Sequence, residues 1–214
     1  MSTSVGVQER MGPGRTRSLA IALRRGGWTA SLIGILALLL MFTKFIQPTF
    51  GIRAIQGLAI SVLPLALASV AQAVVVIARG LDLSVGSMMA LTSVVSAVLM
   101  EGRSEGAAVL VVIGVLLLGA ILGAINGTLV VITRVPDIVV TLAMLFVWAG
   151  CALLVLNTPG GSSATWLREL VLGSLVLEWI PKAAVVLLLV VGIVWVPLRR
   201  SRLGLSLYAI GSDP

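Results

Sequence analysis

The sequence predicts an all-α polytopic membrane protein: a helical bundle of about six transmembrane helices with its N-terminus in the cytoplasm. Three observations predict it. Hydrophobic residues make up 59% of the 214 positions and charged residues 11%, and the mean hydropathy is +1.16, outside the range of water-soluble domains. The ionisable residues are clustered and leave uncharged runs, such as Ala107 to Thr133, long enough to cross a bilayer as helices. Lys and Arg are divided unevenly between alternate connections, which sets an orientation.

The elements follow in order. Residues 1–27 form a Gly-, Ser-, Thr- and Arg-rich tail with Arg10, Arg15, Arg17, Arg24 and Arg25, ahead of an apolar stretch from Trp28 to Ile46. That stretch is too long for a signal peptide's apolar core, and no small-x-small cleavage site closes it, so it is the first span. Further spans are expected over about 54–78, 83–100, 107–133, 137–156 and 182–198, within a membrane bundle covering 28–198. The longest connection, 157–181, opens on a turn-forming Thr-Pro-Gly-Gly-Ser-Ser run. With Trp166 and Trp179 it reads as an interfacial segment with room for a short surface helix. Residues 199–214 form a cytoplasmic tail. With the N-terminus inside, ten basic residues fall on the cytoplasmic side and five outside (Lys44, Arg53, Arg103, Arg168 and Lys182), so the orientation is favoured two to one.

Composition also removes function classes. A net charge of +7 would suggest a nucleic-acid partner in a soluble protein, but here the basic residues flank apolar spans and lack interleaved aromatics, so nucleic acid is not expected as a partner. Cys151 is the sole cysteine and histidine is missing, which excludes intrachain disulfides, the common zinc sites (no metal site is expected) and histidine-based acid-base catalysis. No P-loop, H-E-x-x-H or G-x-S-x-G motif occurs, so neither ATP hydrolysis nor the common membrane hydrolase chemistries are expected of this chain.

Polar residues within the spans are the candidates for function. The break Arg79-Gly80-Leu81-Asp82-Leu83-Ser84-Val85-Gly86-Ser87 joins two apolar spans with almost no loop. Asp82 suits an N-cap of the third span, accepting from the N–H of Ser84 or Val85. A charged break at membrane depth also suits a protein-lined cavity or moving joint. In the fourth span Gly119, Gly123, Asn126 and Gly127 share one helical face, a close-packing device with an amide able to bond across it. Ser61, Ser69 and Gln72 form a polar stripe on the second span, with Pro64 expected to kink it.

Four stretches then carry a resemblance. Ala71-Gln72 with Arg79 to Ser87, Gly123-Ala124-Ile125-Asn126-Gly127, Val135-Pro136-Asp137-Ile138-Val139-Val140-Thr141-Leu142, and Gly204 through Tyr208-Ala209-Ile210-Gly211 stand in order over residues 54–214. Together they resemble the permease subunits of bacterial ABC sugar importers of the ribose, xylose, arabinose and rhamnose type. The resemblance implies a path across the inner membrane formed by two permease subunits, alike or different. It also implies a periplasmic sugar-binding protein that delivers the substrate and a cytoplasmic ATPase subunit that uses ATP; this chain itself binds no cofactor. It places Gln72, Asp82, Ser84 and Asn126 at the pathway or gate, Gly119, Gly123 and Gly127 at helix packing, and Tyr208 and Gly211 at the ATPase contact, where 199–214 would begin the coupling segment. Members of the family continue through several more helices, so a C-terminally truncated chain is expected. The rival expectations are a permease of the same superfamily for amino acids or nucleosides, and a nonfunctional membrane remnant.

Overall fold

The computed structural model describes residues 15–156, 158, 160–175 and 180–212. The chain divides into two compact units, residues 1–51 and 52–214. In the first, α1 (Arg15–Ile46) is one helix of 32 residues. The tail from Arg15 onward is therefore helical and continuous with the apolar stretch, while Arg10 lies outside the described residues. Lys44 Nζ closes the end of α1 by donating to the carbonyls of Pro48 at 2.7 Å and Phe50 at 2.6 Å.

The second unit holds α2 (Ile52–Ile77), α3 (Val85–Met100), α4 (Glu105–Thr133), α5 (Asp137–Val155), α6 (Thr165–Val171), α7 (Lys182–Val190), a π-helical turn over Val191–Trp195, α8 (Val196–Arg200) and α9 (Arg202–Ser212). Across the two units, five stretches are long and apolar enough to cross a membrane: Gly27–Ile46, Ile52–Ile77, Glu105–Thr133, Asp137–Val155 and Lys182–Arg200. The chain is thus an all-α, multi-pass membrane protein, with α3 a shorter apolar helix beside the five. The expected surface helix in the long connection is α6; Asn157, Pro159, Glu178 and Trp179 of that connection lie outside the described residues.

Local chemistry explains the departures from the expected elements. The sixth span is a helix interrupted by a π turn just before Pro197, because proline's ring crowds the carbonyl four residues back and a widened turn relieves the clash. α2 continues through Pro64 as one helix. α3 starts at Val85, two residues later than expected, and its N-cap is Ser84, with Asp82 lying outside the helix. Arg79 and Arg134 both adopt left-handed backbone, φ 60° and 55°, where they end α2 and α4. At Arg79 the N–H of Gly80 bonds to the Val75 carbonyl and the N–H of Arg79 to the Val76 carbonyl, both at 2.9 Å, the pair of bonds that closes a Schellman turn.

Packing in the second unit falls into two groups. α3 lies against α5 and α4 around Leu91, Leu122, Trp148 and Ala152, with Met88, Val95, Leu118, Met144 and Cys151 around them. α2 packs chiefly on α7 and touches α9 and α3 only sparsely. Much of the apolar surface stays outside, as at Leu116 (69% exposed) and Leu154 (85%), because lipid tails offer such residues the same surroundings as a core. The connections alternate between two ends. Leu81, after α2, meets Asp137, after α4, and Ile77 meets Gly211 of α9 at that same end. Glu105 meets Thr165 and Trp166 at the opposite end.

Candidate functional site

α3 has 16 residues, about 24 Å at ~1.5 Å per residue, against a hydrocarbon layer about 30 Å thick. For α3 to cross, the segment from Gly80 to Leu83 would have to complete the span, and its non-helical backbone would then need partners from the protein. Two neighbours supply them. From α5, the Asp137 carboxylate accepts the Leu81 N–H while Thr141 Oγ1 donates to the Leu81 carbonyl at 3.4 Å. From α2, the Gln72 amide, oriented to pair donor with acceptor, donates to the Asp82 carbonyl at 3.1 Å and accepts the Asp82 N–H at 3.3 Å. Consecutive residues are thus gripped at both N–H and C=O, each by a different helix.

Asp82 continues the chain of bonds inward. Its Oδ1 accepts the Ser84 N–H at 2.8 Å and the Ser84 hydroxyl at 2.6 Å, an Asx turn that presents Ser84 as the α3 N-cap. The Ser84 hydroxyl accepts from Asn126 Nδ2 at 2.5 Å, and Asn126 Oδ1 accepts from Trp148 Nε1 at 3.1 Å. Ser87 closes the first turn by donating to the Ser84 carbonyl at 2.8 Å. Ser84 is 0% exposed and Asn126 3%, and among the described residues every buried side-chain polar atom has a partner. Full satisfaction matters here, since an orphaned buried amide or hydroxyl would be expensive.

The four residues marked for a pathway or gate, Gln72, Asp82, Ser84 and Asn126, therefore form one continuous hydrogen-bonded line across α2, the joint, α3 and α4. Its inner end is Trp148 of α5, and Asp137 and Thr141 hold the neighbouring Leu81; these three are the participants that the residue patterns did not single out. A signal existed for each. Asp137 and Thr141 stand four apart and so share a helix face, and a tryptophan deep in an apolar span needs a partner for its N–H. Ser61 and Ser69 do not join the line; their hydroxyls return to the carbonyls four residues back, Gly57 at 3.0 Å and Leu65 at 2.8 Å.

The small residues separate. Gly119 lies 4.0 Å, measured from an ideal Cβ position, from the Thr92 methyl of α3, whereas the space around Gly123 and Gly127 is open within this chain's described residues. α4 instead turns Ala108, Leu122 and Asn126 inward. At the end of the chain, a Cβ on Gly211 would collide with the Ile77 carbonyl of α2, and one on Gly204 with the Leu198 carbonyl of α8. Both glycines thus let α9 press its backbone against its neighbours. Tyr208 is 47% exposed and borders a recess with Trp195, Leu198, Val74 and Ile77. No group of three or more metal-ligating side chains occurs among the described residues.

Comparison with known proteins adds to this geometry. A family model described as "Branched-chain amino acid transport system / permease component" matches residues 54–214. The chain is 26% identical over 203 residues to the autoinducer 2 import system permease protein LsrD of Escherichia coli strain K12, and equally to those of Escherichia coli O157:H7 and Shigella flexneri. Each alignment covers 89% of this chain and 59% of the relative, so the chain spans less than two thirds of the length of these curated relatives. No solved structure matches.

Proposed function

The chain belongs to this permease-component family, and from that premise we propose that it is the membrane subunit of an ABC importer carrying a monosaccharide across the bacterial inner membrane. ATP hydrolysis falls to a cytoplasmic ATPase subunit, a second permease subunit completes the path, and a periplasmic sugar-binding protein delivers the substrate. This chain contributes helix movement and no covalent chemistry. The observation that carries the proposal is the arrangement at one end of the bundle. α9, through Gly204 and Gly211, seats on α8 and on the C-terminal end of α2, one short turn before the joint that holds Asp82. A push on α9 at Tyr208 reaches α2 through that contact, and α2 reaches the joint through Gln72.

The relatives import autoinducer 2 by name, and the family description names branched-chain amino acids, so a second reading, amino-acid import, has support of its own. Reconstitution into proteoliposomes with an ATPase subunit, a second permease subunit and a binding protein separates them. The proposal expects ATP-dependent uptake of a labelled monosaccharide and none of labelled leucine or valine. Uptake of the amino acids alone would establish the second reading, and the absence of ATP-dependent uptake of any of these would overturn both.

A further inference from the structure

The hydrogen bonds that hold the α2–α3 joint are unequal, and the inequality marks where the second unit can flex. On the α5 side, Asp137 uses both carboxylate oxygens: Oδ2 accepts the Leu81 N–H and Oδ1 accepts the Ile138 N–H at 2.9 Å. Gly80 keeps this approach open, since a Cβ there would stand 3.4 Å from Oδ2 and 3.1 Å from the Val75 side chain. Bonds to an ionised acceptor are roughly twice as strong as neutral ones. The second α5 bond, from Thr141 Oγ1 to the Leu81 carbonyl, is neutral and 3.4 Å long, and the Gln72 bonds to Asp82 on the α2 side are likewise neutral, 3.1 and 3.3 Å, so the Asp137 carboxylate makes the difference. Inward of Asp82 the line is buried through Ser84, Asn126 and Trp148, where breaking a bond would strand a polar group away from water.

Packing points the same way. α3, α4 and α5 share one apolar core, whereas α2 packs chiefly on α7, with only small contacts to α9 and to α3. We propose that Asp137 and Thr141 are positioning residues that fix the joint to the α3–α4–α5 group, so that the unit yields between Gln72 and Asp82, with α2, α7, α8 and α9 moving as the other group. Ala78 to Gly80, with its left-handed Arg79, is the backbone that absorbs the movement. The bearing of this division on transport rests on the importer reading; the division itself does not.

The test uses the full chain in lipid nanodiscs and reads amide hydrogen exchange together with distances between spin labels. Asp137→Ala is expected to speed exchange of the Leu81 amide by about tenfold or more, the loss of one charge-assisted bond, and the near-isosteric Asp137→Asn to speed it less. Gln72→Ala is expected to speed exchange at Asp82 while leaving Leu81 unchanged. In a Cys151→Ala background, labels at the exposed positions Val76 of α2 and Val139 of α5 should show a distance distribution that broadens in Gln72→Ala. Labels at Ala90 of α3 and Val139 should keep a narrow one. Equal acceleration at Leu81 and Asp82 in both variants, or broadening of the Ala90–Val139 pair together with Val76–Val139, would overturn the proposal. Failure of reconstituted uptake with these exchange rates and distances as expected would remove the importer reading alone.

Discussion

Replacement of Asn126 and Trp148, singly and together, tests whether the buried line acts as a unit. Asn126→Leu deletes the acceptor of the Trp148 N–H and the donor to the Ser84 hydroxyl, both inside a region that is 3% exposed at Asn126 and 8% at Trp148. Stranding the indole N–H costs about 1–3 kcal/mol and the lost amide–hydroxyl bond about 0.5–1.5 kcal/mol. Interhelical hydrogen bonds within membranes average only about 0.6 kcal/mol, which pulls the expected total toward about 2 kcal/mol. Trp148→Phe alone leaves Asn126 Oδ1 without its donor and loses part of the ring's packing, also about 2 kcal/mol. In the double variant neither group is left stranded by the other. It should therefore be about 1 kcal/mol or more stabler than the sum of the single changes. Unfolding in mixed micelles with increasing SDS, followed by far-ultraviolet circular dichroism, measures all three. Additivity within about 0.5 kcal/mol would refute the reasoning, because independent sites add and coupled ones do not.

Other outcomes follow from single contacts. Gly211→Ala places a methyl against the Ile77 carbonyl, so α9 should lift from α2 and cleavage by trypsin at Arg202 should accelerate while the α3–α4–α5 core persists. Co-purification of an ATPase subunit should fall with it. Arg134→Gly relieves a left-handed residue at the end of α4 and should raise stability by up to about 1 kcal/mol in the same SDS titration. Glu105→Ala removes both carboxylate oxygens that accept the Thr165 N–H at 3.1 Å, so the start of α6 should fray and proteolysis at Arg168 should increase, with the membrane helices unaffected. Unchanged proteolysis in either alanine variant would count against the contact concerned.

The sequence by itself determined the class of the fold and the family. Uncharged apolar runs of about 20 residues have one stable form in a bilayer, the helix, because only there does each segment satisfy its own backbone. Five of the six expected spans and the short helix of the long connection were legible for that reason, while the third expected span is the shorter helix α3. Polar residues within such runs were visible for the same reason: at Gln72, Asp82, Ser84 and Asn126 an apolar alternative would be cheaper unless the polar group had a partner. The partners were not legible. Gln72 meets the backbone of Asp82, and Asn126 lies 42 residues from Ser84 and 22 from Trp148, so their pairing depends on how α3, α4 and α5 nest. Asp137 is a first-turn acid by sequence and the anchor of Leu81 only in the folded unit. The same holds for the glycines, which share a spacing on α4 yet meet different surroundings, Gly119 against Thr92 and Gly123 and Gly127 in open space. Helix periodicity sets which residues share a face; the packing of neighbouring helices decides what that face meets.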